Sequence, residues 1–173
     1  MTQSQRDQGG FGMWIVTGMG TGLLRPAPGT WGSLPPVILA CGLAFGQVAP
    51  RTIDMALAGM GIVFGLGCLI WGESAERRFG KKDPGSVVAD EVAGQSLALM
   101  WLPWSTPNVG SGNAHIIATC AIAFFAFRFF DILKPPPARG WQRFPGGLGI
   151  LIDDIVAGFY ALVLTQVLVR VLW

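Results

Sequence analysis

Four runs without a charged residue divide this chain: Pro26–Pro50, Met55–Gly72, Val92–Phe127 and Ile155–Val169. Each is apolar nearly all round rather than along one stripe, which suits a helix surrounded by lipid or by other helices. The third run is too long for one crossing. Pro103 and the turn-forming stretch STPNVGSGN at 105–113 break it in two. The pattern therefore predicts an all-α, polytopic bundle of about five membrane-associated helices, near 34–50, 55–72, 92–104, 114–131 and 152–172. A helix from Asp153 to Trp173 rises about 30 Å, one hydrocarbon thickness, and one from Ala114 to Asp131 about 26 Å. The 92–104 segment reaches only about 20 Å, so it is expected to tilt in or to extend irregularly.

Composition sharpens this picture. The 173 residues form one domain, 1–173, with a flexible polar tail over 1–12. Charged residues are 13% of the chain, against roughly a quarter in soluble proteins, and the mean hydropathy is +0.52. A net charge of +2 is too small for a nucleic-acid partner. Arg77, Arg78, Lys81 and Lys82 share one inter-helix loop, and Lys134, Arg139 and Arg143 share another. The positive-inside tendency puts both loops and the N-terminus in the cytoplasm. Cys41, Cys68 and Cys120 lie singly in apolar runs and read as small buried hydrophobes.

The acids are the informative residues. Apart from Asp7 and Asp54, they fall in short clusters bordering the apolar runs: Glu73 and Glu76, Asp83, Asp90-Glu91, Asp131, and Asp153-Asp154. Carboxylates beside membrane segments are costly and are usually kept for ions, protons or polar substrates. On the predicted topology Asp83, Asp90, Glu91, Asp131, Asp153 and Asp154 share the cytoplasmic boundary, where they could converge on a hard cation. Helix capping is the competing explanation, because Asp90-Glu91 and Asp153-Asp154 are each expected to begin a helix.

Two of these sites share the pattern D-x-V-A-G, at Asp90–Gly94 and Asp154–Gly158. The glycine four residues on faces the same way as the carboxylate, and helix packing explains it as well as a ligand does. Arg128, Asp131 and Lys134 follow at intervals of three, and Pro135 pushes Lys134 out of helical geometry. They fit either a phosphate-binding row or a surface ion-pair ladder. Upstream, APGTWGS at 27–33 leads into Leu34-Pro35-Pro36, so Ser33 reads as an N-cap and the glycine-rich backbone as a phosphate cradle. His115 is the one histidine and is expected to be solvated at the outer end of the fourth helix. Its isolation excludes Ser-His-Asp chemistry. No cysteine is followed by arginine six residues on, and no D-x-D-x-T or Walker sequence occurs.

Four blocks occur in order: GTGLLRPAPGTWGS (20–33), KDPGSVVADEVAGQ (82–95), FRFFDILKPPP (127–137) and GGLGILIDDIVAG (146–158). Together they resemble the phosphatidylglycerophosphatase A family. The resemblance implies an Mg²⁺-dependent lipid phosphatase of the bacterial inner membrane. It would hydrolyse phosphatidylglycerophosphate to phosphatidylglycerol on the cytoplasmic face, in phospholipid biosynthesis. On that reading Asp90, Asp131, Asp153 and Asp154 hold Mg²⁺ and Glu91 or a neighbouring Asp serves as general base. Thr30, Ser33, Arg128 and Lys134 hold phosphate oxygens. A homo-oligomer is compatible with it. The rival class is a small ion-coupled transporter, which also uses helix-edge acids and glycine-rich spans.

Overall fold

Proline and glycine set most helix boundaries. Prolines open the first turns of α2 (Pro28–Gly32), α3 (Leu34–Phe45) and α4 (Pro50–Phe79), where a missing N–H costs nothing. Gly80 ends α4 in the left-handed conformation, with φ of 66°. The other helices are α1 (Gln3–Val16), α5 (Ala89–Ala98), α6 (Ala114–Leu133) and α7 (Gly147–Leu172). This computed structural model describes residues 3–82, 84–104, 113–136 and 147–172, and those residues contain no strand. Asp83, Arg139, Arg143 and the turn-rich stretch 105–112 lie outside them.

Three helices, α4, α6 and α7, are long and apolar enough to cross a membrane. The other two expected crossings are shorter than predicted. α3 has 12 residues and α5 has 10, rising about 18 and 15 Å, well under a bilayer core. At the N-terminus, where a flexible tail is expected over 1–12, the backbone is helical from Gln3. Its last turns dock on α4: Phe11 meets Trp71 edge to face, and a Cβ on Gly67 would lie 2.2 Å from Ile15.

α5 is the centre of the bundle. Ala89, Asp90, Val92, Ala93, Gly94, Gln95, Ser96 and Ala98 are all buried, and the helix packs most extensively on α7 and α4. Just beyond its end, side chains of neighbouring helices hold the backbone in a non-helical course. Asp54 of α4 accepts from the Trp101 N–H at 2.8 Å. Gln166 of α7 donates to the carbonyls of Met100 and Trp101 at 3.1 and 2.8 Å. Around α5 the apolar core falls into three groups. One is at the C-terminal end of α5 (Ile53, Leu57, Leu99, Trp104, Ile116), one at its N-terminal end (Ile15, Val16, Phe64, Val87, Val92), and one lies between α5, α6 and α7 around Phe127. Cys68 and Cys120 are buried, as expected, whereas Cys41 is half-buried and faces Cys120 across α3 and α6. His115 is buried in the first turn of α6 rather than solvated.

The crossing of α5 and α7 brings the two backbones close from both sides. A Cβ on Gly94 would stand 2.5 Å from the Asp154 carbonyl oxygen, and one on Gly158 would stand 2.4 Å from the Gly94 carbonyl oxygen. Backbone cannot give way as a flexible side chain can. Gly158→Ala should therefore lower stability by about 1–3 kcal/mol through overpacking. Gly59→Ala, at an α4 position with open space around it, should be neutral or gain up to about 1 kcal/mol from helix propensity. Thermal unfolding of the two variants in detergent checks the contrast.

Candidate active site

The α5–α7 crossing decides where the carboxylates go. The helices run the same way, and each carries its aspartate one turn before the contact glycine. Asp90 and Asp154 are therefore brought to the same level on facing surfaces. Glu91 joins them. One carboxylate oxygen from each of Asp90, Glu91 and Asp154 lies within 4.8 Å of the others. Asp90 and Asp154 are 6% and 3% exposed. Asp90 Oδ1, Glu91 Oε2 and Asp154 Oδ2 are buried without a hydrogen-bond partner.

Two cations border this focus. Arg128 pairs with Asp131 at 2.8 Å, three residues on along α6, in largely buried surroundings. Lys134 leaves the helix at φ of 47° before Pro135, as the proline predicts. Its ammonium reaches across to Asp153 at 2.5 Å. Arg128, Asp131 and Lys134 are thus no surface ladder: the row is split, with Arg128 turned to one side of the focus and Lys134 to the other. Asp131 and Asp153 are both within electrostatic reach of Asp154.

The segment 27–33 closes the Arg128 side. A Cβ on Gly29 would meet Glu91 Oε1 at 2.5 Å and the Arg128 guanidinium at 3.1 and 3.2 Å, so a side chain there would push the tips of Glu91 and Arg128 aside. Ser33 is fully buried. It is not the expected cap: its backbone is right-handed helical, and its hydroxyl donates to the Gly29 carbonyl at 2.8 Å. The same oxygen accepts from Arg128 Nη1 at 3.4 Å, which ties the segment to the acids. Thr30 stands half-buried on the same turn.

Asp90 and Glu91 occupy the first turn of α5, as predicted. Asp153 and Asp154 do not begin their helix; α7 starts six residues earlier, at Gly147. The helix-terminus explanation therefore fails for that pair. Sequence reasoning passed over Gln95 and did not single out Gly29. Gln95, one turn beyond Glu91, is fully buried with neither amide atom bonded. Gly29 is marked in the sequence only as part of a glycine-rich stretch.

Charge in this focus is unbalanced. Burial, then Glu91 and Asp154, raise Asp90 well above the usual carboxylate range. Burial likewise lifts Glu91, to about 7, against the opposing effects of its bond to Asp90 and of Arg128. Burial pulls Lys134 down, but its bond to Asp153 and the nearby Asp154 and Asp131 more than offset this, leaving it raised. Clustered, buried oxygen donors with unused lone pairs fit a hard divalent cation, which such sites hold through carboxylates.

A linkage test follows from Glu91. Its folded pKa lies above the unfolded value of 4.5, at about 7. Between those values the folded protein binds more protons than the unfolded one, so stability falls as pH rises through that window. Metal-free protein should therefore lose up to about 3 kcal/mol from Glu91 between pH 5 and 8. Glu91→Gln should flatten the slope. Unfolding in EDTA across that pH range measures it.

A family model described as Phosphatidylglycerophosphatase A matches residues 14–169. Phosphatidylglycerophosphatase A of Haemophilus influenzae is 37% identical over 153 residues, covering 86% of this chain and 83% of the relative. The Escherichia coli protein of the same name is 33% identical over 148 residues, covering 83% and 75%. A Bacteroides thetaiotaomicron protein, named as a candidate phosphatidylinositol-3-phosphatase, is 34% identical over 154 residues, covering 88% and 90%. No solved structure gives a significant match. With its acid cluster and its three long apolar helices, this chain belongs to the phosphatidylglycerophosphatase A family.

Proposed function

We propose that this protein hydrolyses phosphatidylglycerophosphate to phosphatidylglycerol and phosphate at the cytoplasmic face of a bacterial inner membrane, in phospholipid biosynthesis, and that it requires Mg²⁺. One observation carries the reading: the buried Asp90 and Asp154 and the half-buried Glu91 bring carboxylate oxygens within 4.8 Å of one another, flanked by Arg128 and Lys134, in a chain of this family. The gathering of the acids at one level of the bundle suits a phosphoryl site better than a transport path through the membrane. The relatives' names differ in headgroup but share a phosphate monoester on a phosphatidyl lipid.

Asp90, Asp154 and Glu91 are the residues that would hold the cation, with Asp131 and Asp153 beside them. A bound divalent cation neutralises phosphate charge and lowers the pKa of a water. The chain itself does the rest. Arg128 and Lys134, each now bonded to a carboxylate, turn their free N–H groups toward phosphate oxygens as charge-assisted donors. Thr30 and Ser33 close the Arg128 side. Whichever of Glu91 and the neighbouring aspartates does not bind the cation is placed to take the proton from the attacking water. The P–O bond to the headgroup then breaks, and the freed headgroup oxygen is protonated. The buried setting keeps these charges effective.

Phosphate release from phosphatidylglycerophosphate by the detergent-purified protein tests this. Release should need Mg²⁺ and stop in EDTA. Asp90→Asn and Asp154→Asn should each lower it by at least about a hundredfold, more than loss of an outer contact costs a metal site, while remaining folded. No release by folded wild-type protein in Mg²⁺ would reject the reading.

A further inference from the structure

The apolar surface beside the acids is concave. α5 stops after 10 residues between helices of 30 and 26, so it cannot fill the space between them and leaves a cleft. A groove of about 370 Å³ runs there, walled by Leu57, Gly61, Gly65 and Leu69 of α4 and by Leu151 and Ile155 of α7, and floored by α5. A second, of about 380 Å³, lies across Leu97 and Ile155 and is lined by Val156, Phe159 and Tyr160. Leu97 and Ile155 belong to both grooves, so they form the ridge between them.

Both grooves begin at the depth of the carboxylates, although their walls are apolar side chains and not the acids themselves. Leu151 and Ile155 bracket Asp154 in sequence. Ala93 and Leu97 continue the stripe of Asp90 along α5. On α4 the groove ends at Leu69, next to Cys68, which lies within electrostatic reach of Asp90. From Leu69 to Leu57 the wall rises about 18 Å, close to one leaflet, half of a roughly 30 Å core. Its helical walls are two of the membrane-length helices, so the grooves open sideways into hydrocarbon. The second groove is shorter, since Ile155 to Tyr160 rises only about 8 Å. A polar centre with one apolar channel about a leaflet long and a shorter one beside it matches the head and two chains of a diacyl lipid.

We propose that the paired grooves seat the two acyl chains of the substrate lipid, one on each side of the Leu97–Ile155 ridge, while its phosphate lies at the acids. The assignment rests on the phosphatase reading above. It makes α5 and the facing sides of α4 and α7 the surface that selects a two-chain lipid. Gly61 and Gly65 keep the first groove open. A Cβ at either would find ordinary contacts, 3.4 Å or more from Ser96, Ala93 and Leu151, so larger side chains fill the groove without forcing the helices apart.

The test uses the full-length protein in nanodiscs with phosphatidylglycerophosphate carrying a diazirine at mid-chain. Adducts are mapped by mass spectrometry, and phosphate release is followed in parallel. Labels should concentrate on 61–66, Leu97 and Phe159 over Phe125 and Val171, which are 68% and 79% exposed on other surfaces. Gly61→Leu with Gly65→Leu should cut labelling of the first groove. It should also lower the ratio of long-chain to dibutyryl turnover by at least about tenfold, since a few methylenes lose their burial. Ile62→Trp at the rim should act the same way should the double variant fold poorly. Even labelling of all lipid-facing residues, an unchanged ratio in folded variants, or protection of 61–66 by a second copy in chemical cross-linking would each overturn the proposal. Groove labelling without phosphate release would reject the phosphatase reading and leave the grooves standing; release with even labelling would do the reverse.

Discussion

The backbone contact of α5 with α7 at Gly94 and Gly158 governs this structure. Each glycine lies where the other helix's backbone would collide with a side chain. Because the helices run the same way, every residue one turn before the contact is matched with its counterpart. The D-x-V-A-G pattern at 90–94 and 154–158 thus becomes a statement about geometry. The same spacing that lets the helices touch also forces two aspartates together.

That proximity works against folding. Buried carboxylates repel and lose hydration, and an unpaired charge there costs several kcal/mol unless it is protonated or compensated. The bundle compensates in part. Arg128 takes Asp131, Lys134 takes Asp153, and Gly29 seats against Glu91 and Arg128. Asp90, Glu91 and Asp154 keep oxygens without partners. Local rules are broken here, as expected where a protein holds a functional site.

Much of this was legible in the sequence. The all-helical architecture, the helices at 114–131 and 55–72, the escape of Lys134 from its helix and the first-turn place of Asp90 and Glu91 follow from apolar runs and proline positions. The start of α7 did not. Gly146, Gly147 and Gly149 read as loop by propensity, yet a Cβ on Gly147 would lie 2.0 Å from the Cys68 carbonyl oxygen. Close packing on α4 outweighs propensity, and Asp153 and Asp154 sit two turns into a helix. The shortness of α5 was equally hidden. The backbone just beyond its end is held by Asp54 and Gln166, 47 and 65 residues away in sequence, and local pattern cannot register such partners. Ser33 was misread for a related reason: α2 runs straight into α3, so its hydroxyl serves the preceding turn.

The order of the chain gives the α5–α7 contact a further meaning. Synthesis proceeds from the N-terminus, and segments assemble as they emerge. Asp90 and Glu91 enter the bundle while α7, the last described helix, is still to be made. Until it arrives, the α5 acids have no Asp154 to meet and Lys134 has no Asp153. The acid cluster is therefore completed only when α7 docks, and a nascent chain caught before that step carries the α5 and α6 carboxylates without the centre.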